Sequence, residues 1–185
     1  SDMTGSDVNE IIELKSSTPN FSLDGYVIVL YNETNSLSYY AIDLDGYFTD
    51  INGIFLAGNT AVSPAPTLVF PNGKIQNGPD VIALYQANAA DFPDGTLVTT
   101  TNLVNALAYS TTASTAINLM AALGITVSTN ENMNSLGTTQ SIQRKNDGTY
   151  EAKTPTPGMP NDGSGVVLNY VTVTTSQTNY NEGDV

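Results

Sequence analysis

The chain has no cysteine, no histidine and no tryptophan, and only five basic residues in 185. Without cysteine there is no disulfide framework, no thiolate nucleophile and no thiolate metal ligand, and the redox compartment leaves no trace in the composition. Without histidine, Ser-His-Asp and Cys-His catalysis and imidazole metal sites are excluded. No apolar run nears the roughly 20 residues that cross a bilayer; the longest, Tyr26 to Tyr31, has the length of a strand, and membrane insertion is not expected. Ser1-Asp-Met3 does not open a charged-then-apolar signal segment, so a targeting sequence is expected to lie elsewhere or to have been removed.

Charge is almost all of one sign. Eighteen acidic residues give a net charge of -13, which repels phosphate backbones and anionic membrane surfaces. Nucleic acid is therefore not an expected partner, and Arg144-Lys145, the one adjacent basic pair, is too little for a phosphate-tracking groove. Only 12% of residues are charged, so the surface must draw its polarity from Asn, Thr, Ser and Gln. The length suits one medium domain with its own core.

What is present is the punctuation of a β protein. Between Val8 and Lys15, Ile12 and Leu14 alternate with Glu13 and Lys15, the period of a half-buried strand. After the turn signals Pro19-Asn20 and Asp24-Gly25, Tyr26 to Tyr31 is apolar on both faces, as a central strand would be. Asn32 to Asn35 is turn chemistry and Ser38 to Leu44 alternates again, which predicts a hairpin. Gly53 to Gly58, Val81 to Tyr85, Asn102 to Tyr109 and Ser141 to Lys145 read as further strands, the third with Leu103, Asn105, Leu107 and Tyr109 opposed to Val104, Ala106 and Ala108.

One stretch breaks the rhythm. Ile117, Met120 and Ala121 recur at helical spacing ahead of Gly124, a C-terminal glycine signal, and predict one short helix inserted among the late strands. Ser128 to Gly137 reads as Asn-rich loop. No internal repeat is evident within residues 1 to 160. Past the Pro- and Gly-dense Lys153 to Asn161, Asp162-Gly-Ser-Gly165 reads as a linker. Val166 to Thr174 alternates like a strand and either completes the same sheet or opens a following β repeat; the division is thus 7–161 for one domain and 162–185 for the remainder.

An ordered series of motifs resembles the lamin-tail domain: Glu10-Ile-Ile-Glu-Leu14, Leu23-Asp-Gly-Tyr26, Leu103-Val-Asn-Ala-Leu-Ala-Tyr109, Ser141 to Arg144 and Pro155-Thr-Pro-Gly158. The likeness covers roughly residues 7 to 161 and implies an all-β, immunoglobulin-like β-sandwich of lamin-tail type with the short inserted helix. The stretch 110 to 139 is longer than the minimal domain, and the opening strand before Glu10 looks truncated; the truncation leaves a sheet edge for which residues 166 to 174 or a neighbouring chain would supply a strand. The family implies a non-catalytic extracellular or cell-surface module for interaction, adhesion or targeting, with a protein or glycan partner. The alternative it implies is an accessory domain beside a secreted metal-dependent nuclease or phosphoesterase.

Candidate sites rest on carboxylates. Asp43, Asp45 and Asp50 cluster in sequence and are the candidate ligands for a hard cation, calcium first, although an EF-hand loop would want an oxygen ligand where Tyr47 stands and a Glu where Ile54 stands. The competing reading makes them, with Asp91 and Asp94, solvated turn residues. No catalytic residues and no other cofactor are expected. Tyr39, Tyr40 and Tyr47 are either a stacking surface for sugars or the core and rim of the sandwich. Asn20-Phe-Ser22 and Asn32-Glu-Thr34 match the glycosylation sequon.

Overall fold

The structure, a computed structural model, describes residues 7–161. The expected linker and the expected strand Val166 to Thr174 lie outside the described residues. Among the described residues ten strands form the frame: β1 Ile11–Lys15, β2 Val27–Asn32, β3 Leu37–Asp43, β4 Ile54–Gly58, β5 Leu68–Val69, β6 Asp80–Tyr85, β7 Leu103–Ser110, β8 Ser128–Asn130, β9 Ser141–Arg144 and β10 Tyr150–Lys153. They make a five-stranded sheet in the order β3-β2-β6-β7-β8, a three-stranded sheet β1-β4-β5, and the β9-β10 hairpin. The two-face apolar run of β2 is explained by its central place between β3 and β6.

Each face of β2 meets a different layer. Ile28 and Leu30 point to one side and pack with Ile12, Phe55, Ala57 and Leu68 of the small sheet. Val27, Val29 and Tyr31 point to the other and pack with Val81, Ala83, Tyr85 and Phe92, roofed by Leu119 and Leu123 of a helix, α1 Ile117–Leu123. The large sheet is thus sandwiched between a small sheet and a helix-and-loop layer. Burial of each such side chain is worth ~1.5–3 kcal/mol relative to exposure, so both faces contribute to stability.

The helix forms where expected, with Gly124 in the left-handed conformation (φ 69°) closing it, but it turns a different face inward. Ala116, Leu119 and Leu123 are buried, whereas Ile117 is 68% exposed. The spacing of Ile117, Met120 and Ala121 was helical; the competing set three and seven residues beyond Ala116 is the one that meets the sheet. No side chain at its own N-cap helps it start. Instead Glu33, in the β2–β3 turn, accepts the Asn118 N–H (2.9 Å) and the Leu119 N–H (3.0 Å).

A bulge corrects the alternation expected for β7. The register with β6 slips between Leu84 and Tyr85, so Leu103 pairs with Tyr85 while Asn105 pairs with Leu84. Leu103 therefore shares a face with Ala106 and Ala108, not with Leu107 and Tyr109. One extra residue on a bulged strand reverses the face of everything beyond it.

Candidate functional site

Two turns of identical sequence face each other at one end of the sheets. Leu23-Asp-Gly-Tyr26 leads into β2 and Leu44-Asp-Gly-Tyr47 leaves β3. Gly25 N–H donates to Asp45 Oδ1 at 2.6 Å and Gly46 N–H to Asp24 Oδ1 at 2.6 Å. The backbone repeats the exchange: Leu23 N–H to the Tyr47 carbonyl (2.9 Å) and Leu44 N–H to the Tyr26 carbonyl (3.1 Å). Glycine is required here because both positions have positive φ, 75° and 83°. The expectation of no internal repeat is corrected at the scale of four residues. Copies so short do not register along the chain, and their kinship shows only where the fold brings them together.

The clasp accounts for two of the three candidate cation ligands. Asp45 is bonded to Gly25, and Asp43 Oδ1 accepts the Asp45 N–H at 3.0 Å. Asp50 sits in the next turn, where its Oδ1 accepts the N–H groups of Asn52 and Ile54, both at 2.8 Å. Among the described residues no group of three or more acidic side chains is placed to hold a metal ion. The bond from Gly46, with help from the Ser22 hydroxyl, holds the Asp24 carboxyl below the usual range. Asp91 closes a 3-10 turn at Ala89–Asp91 by accepting the Asn88 N–H (3.3 Å).

The tyrosines are tied into the packing. Tyr39, Tyr40 and Tyr47 are half-buried against the small-sheet core, Tyr47 edge-on to Phe55 at 5.6 Å and Tyr40 beneath the Lys74 ammonium at 4.8 Å. Asn32 of the second sequon spends its side chain on Gln76 (3.0 Å) and on the Thr34 N–H (2.7 Å).

A wide concavity among the described residues lies elsewhere. The three-stranded sheet is too narrow to cover the five-stranded one, and a groove of about 420 Å³ is left between β1, β6–β7 and the β9–β10 hairpin. Its floor is apolar: Ile28, Ile82, Leu84 and Leu107 share the face that the small sheet would have covered, and Ile142 adds to it from β9. Its size falls within the range of ligand sites, and an apolar bed with a few polar groups at the wall is their usual make-up.

The polar groups on the wall are few. Gln143 is 3% exposed; its amide N–H donates to the Thr154 carbonyl (2.7 Å), while its Oε1 has no partner among the described residues. Glu13 points out of β1, and its Oε2 accepts the Gly158 N–H at 2.9 Å, tying the Pro-rich closing segment to the strand. Burial pushes the Glu13 carboxyl from 4.5 up to about 7, against the lowering effect of the Gly158 bond. Glu10 is 2% exposed but fully engaged, receiving the N–H groups of Lys74 (3.1 Å) and Ile75 (2.6 Å).

Sequence reasoning missed the groove, because its wall and floor come from residues scattered between Glu10 and Asn161. The one signal was the alternation of β1, which makes Glu13 an outward position. Comparison with protein-family models, with curated proteins and with solved structures found no match for this chain.

Proposed function

We propose that the chain is an immunoglobulin-like sandwich of lamin-tail type that serves as a non-catalytic interaction, adhesion or targeting module of a larger secreted or cell-surface protein. The observation that carries the reading is the groove: an apolar bed beside a strand, β1, that has a neighbour on one side only among the described residues. Such a surface receives an extended chain, with main-chain bonds to the edge and alternate side chains on the bed. The chemistry of the carboxylates supports the same side. Asp24, Asp43, Asp45 and Asp50 hold turns together through backbone N–H groups, and no imidazole or thiol exists to act beside them.

The test is turnover. The purified chain is assayed on phosphodiester, phosphomonoester, ester and glycoside reporters, with calcium or magnesium and with chelator. No rate above buffer is expected. A rate that Asp45→Asn abolishes would overturn the proposal and favour an enzymatic role.

A further inference from the structure

We propose that the groove takes one extended segment of another protein, apolar on one face and cationic on the other, which enters as a strand between β1 and β9. The inference rests on the groove being an interaction site and names the chemistry of the partner.

Two strand edges border the groove, and both have main-chain groups to offer. Asn59 N–H bonds the Glu10 carbonyl (3.0 Å) and Ser16 N–H bonds the Gly53 carbonyl (2.7 Å), and the register pairs Ile12 with Ala57 and Leu14 with Phe55. In an antiparallel ladder the residues that exchange bonds alternate, so the even-numbered residues of β1 face β4. Ile11, Glu13 and Lys15 then direct their N–H and C=O groups to the opposite side. In the hairpin, Lys145 N–H bonds the Thr149 carbonyl (2.7 Å), and the register pairs Gln143 with Glu151 and Ser141 with Lys153. The odd-numbered residues of β9 therefore face β10, and Ile142 and Arg144 turn their main-chain groups outward. The Arg144 carbonyl is met there by Asn161 Nδ2 at 3.4 Å, and Asn161 lines the groove. No strand among the described residues lies against either edge. A single guest strand satisfies both and joins the small sheet to the hairpin in the order β5-β4-β1-guest-β9-β10.

The two faces of that guest meet different chemistry. Ile12, Leu14 and Ile142 pack toward the core, so guest side chains on their face lie over Ile82, Leu84 and Leu107, and apolar residues fit there. The neighbours in sequence, Glu13 and Gln143, face the other way. On that face the groove presents acceptors. Gln143 Oε1 and Thr156 Oγ1 are buried at the groove wall and have no partner among the described residues, a costly state for buried polar atoms. The Glu13 carboxylate stands there against the cost of its burial, and the nearest cation on its own strand is spent: Lys15 Nζ donates to the Ser16 and Asn52 carbonyls, both at 2.7 Å. A guest lysine or arginine supplies N–H donors to these oxygens and a positive charge beside Glu13. The net charge of -13 draws a cationic segment in.

Selection from a displayed library of short random peptides against the full chain tests this, with the enriched sequences remade as free peptides and their site read by amide NMR. Enriched sequences are expected to alternate apolar residues with lysine or arginine, to slow amide exchange at Ile11, Glu13, Lys15, Ile142 and Arg144 on binding, and to bind more weakly as salt is raised. Glu13→Pro and Arg144→Pro each remove one outward N–H, a loss that an edge strand tolerates. Each is expected to weaken binding by about tenfold or more while Val29 and Ala83 in the central sheet stay protected. No enrichment, enriched sequences that are acidic or lack the alternation, salt-independent binding, or exchange slowed only outside the groove overturns the proposal. Slow exchange at both edges in the chain alone also overturns it, because the edges are then already paired. None of these outcomes produces turnover, so the failure of this partner and the failure of the non-catalytic reading are told apart.

Discussion

Replacing Glu13 with Gln is expected to raise the melting temperature at pH 8, and to raise it less at pH 5.5. Removal of a hydrogen-bonded carboxylate ordinarily suggests the opposite. In the native chain the group is half-buried on β1, and burial lifts its carboxyl from 4.5 to about 7 although the Gly158 N–H bonds it at 2.9 Å. A raised carboxyl pKa means that the folded chain binds the proton more tightly than the unfolded chain does. The ionised form is therefore a cost of folding, fully present above pH 7 and relieved as the pH falls through 7 toward 4.5. Linkage puts that cost at ~3 kcal/mol at pH 8 and ~1.4 kcal/mol at pH 5.5. Because the side chain keeps part of its surface in water, screening brings the difference to ~1–2 kcal/mol. For a domain of this size that is ~2–8 °C in melting temperature. Gln keeps an oxygen for Gly158 and carries no charge to desolvate. Burial also lifts Asp80, to about 6, which adds a slope of the same sign. The readout is therefore the difference between native chain and variant, measured by calorimetry at the two pH values. A variant that melts lower at pH 8, or an equal difference at both pH values, would refute the reasoning: the bond to Gly158 would then outweigh burial.

Leu119→Ala empties a fully buried position of α1 and should cost ~2–5 kcal/mol by urea unfolding, whereas Ile117→Ala on the exposed face should change little. Glu33→Ala removes the acceptor of the Asn118 and Leu119 N–H groups and should lower stability by ~0.5–2 kcal/mol, readable as loss of amide protection in the first turn of α1. Asp24→Ala and Asp45→Ala each break one arm of the clasp, so the double variant should melt higher than additivity of the singles requires; strict additivity would show the two turns to be independent. The depressed Asp24 carboxyl contributes stability that is present above the usual carboxylate range and lost as the pH falls through its lowered folded value, so Asp24→Ala should melt closer to the native chain in strong acid. Millimolar calcium should leave the melting temperature where magnesium and chelator leave it, since the Asp43, Asp45 and Asp50 oxygens already accept backbone N–H groups; a calcium-specific rise would assign them to the ion.

The strands were legible wherever a local pattern had one cause. Tyr26 to Tyr31 and Val81 to Tyr85 are apolar on both faces because layers cover both, and the sequence carries that directly. Ile12 and Leu14 against Glu13 and Lys15 gave β1 its inward face, and Gly124 marked the end of α1. Features that needed two distant segments were hidden. The bulge opposite Tyr85 depends on the register of β6 against β7, and no periodicity in Leu103 to Tyr109 announces it. The buried stripe of α1 was ambiguous between Ile117 and Leu119 until the sheet was in place. Asp43 and Asp45 suggested ligands because they are acidic and close in sequence; that Asp45 accepts the N–H of Gly25, twenty residues upstream, and Asp24 that of Gly46 could be found only by noticing the same tetrapeptide twice.

The cap that Glu33 provides sets an order of events. Helix α1 has seven residues, far below the ~12–15 at which an isolated helix becomes even marginally stable in water. The acceptor for its first-turn amides lies 85 residues upstream, in the turn of the β2–β3 hairpin. That hairpin is local and can close on its own timescale, but α1 has nothing to start on until the long intervening chain has brought β6 and β7 alongside β2. The helix is then a late addition to an assembled sheet, and mutations within it should speed unfolding while leaving the refolding rate almost untouched.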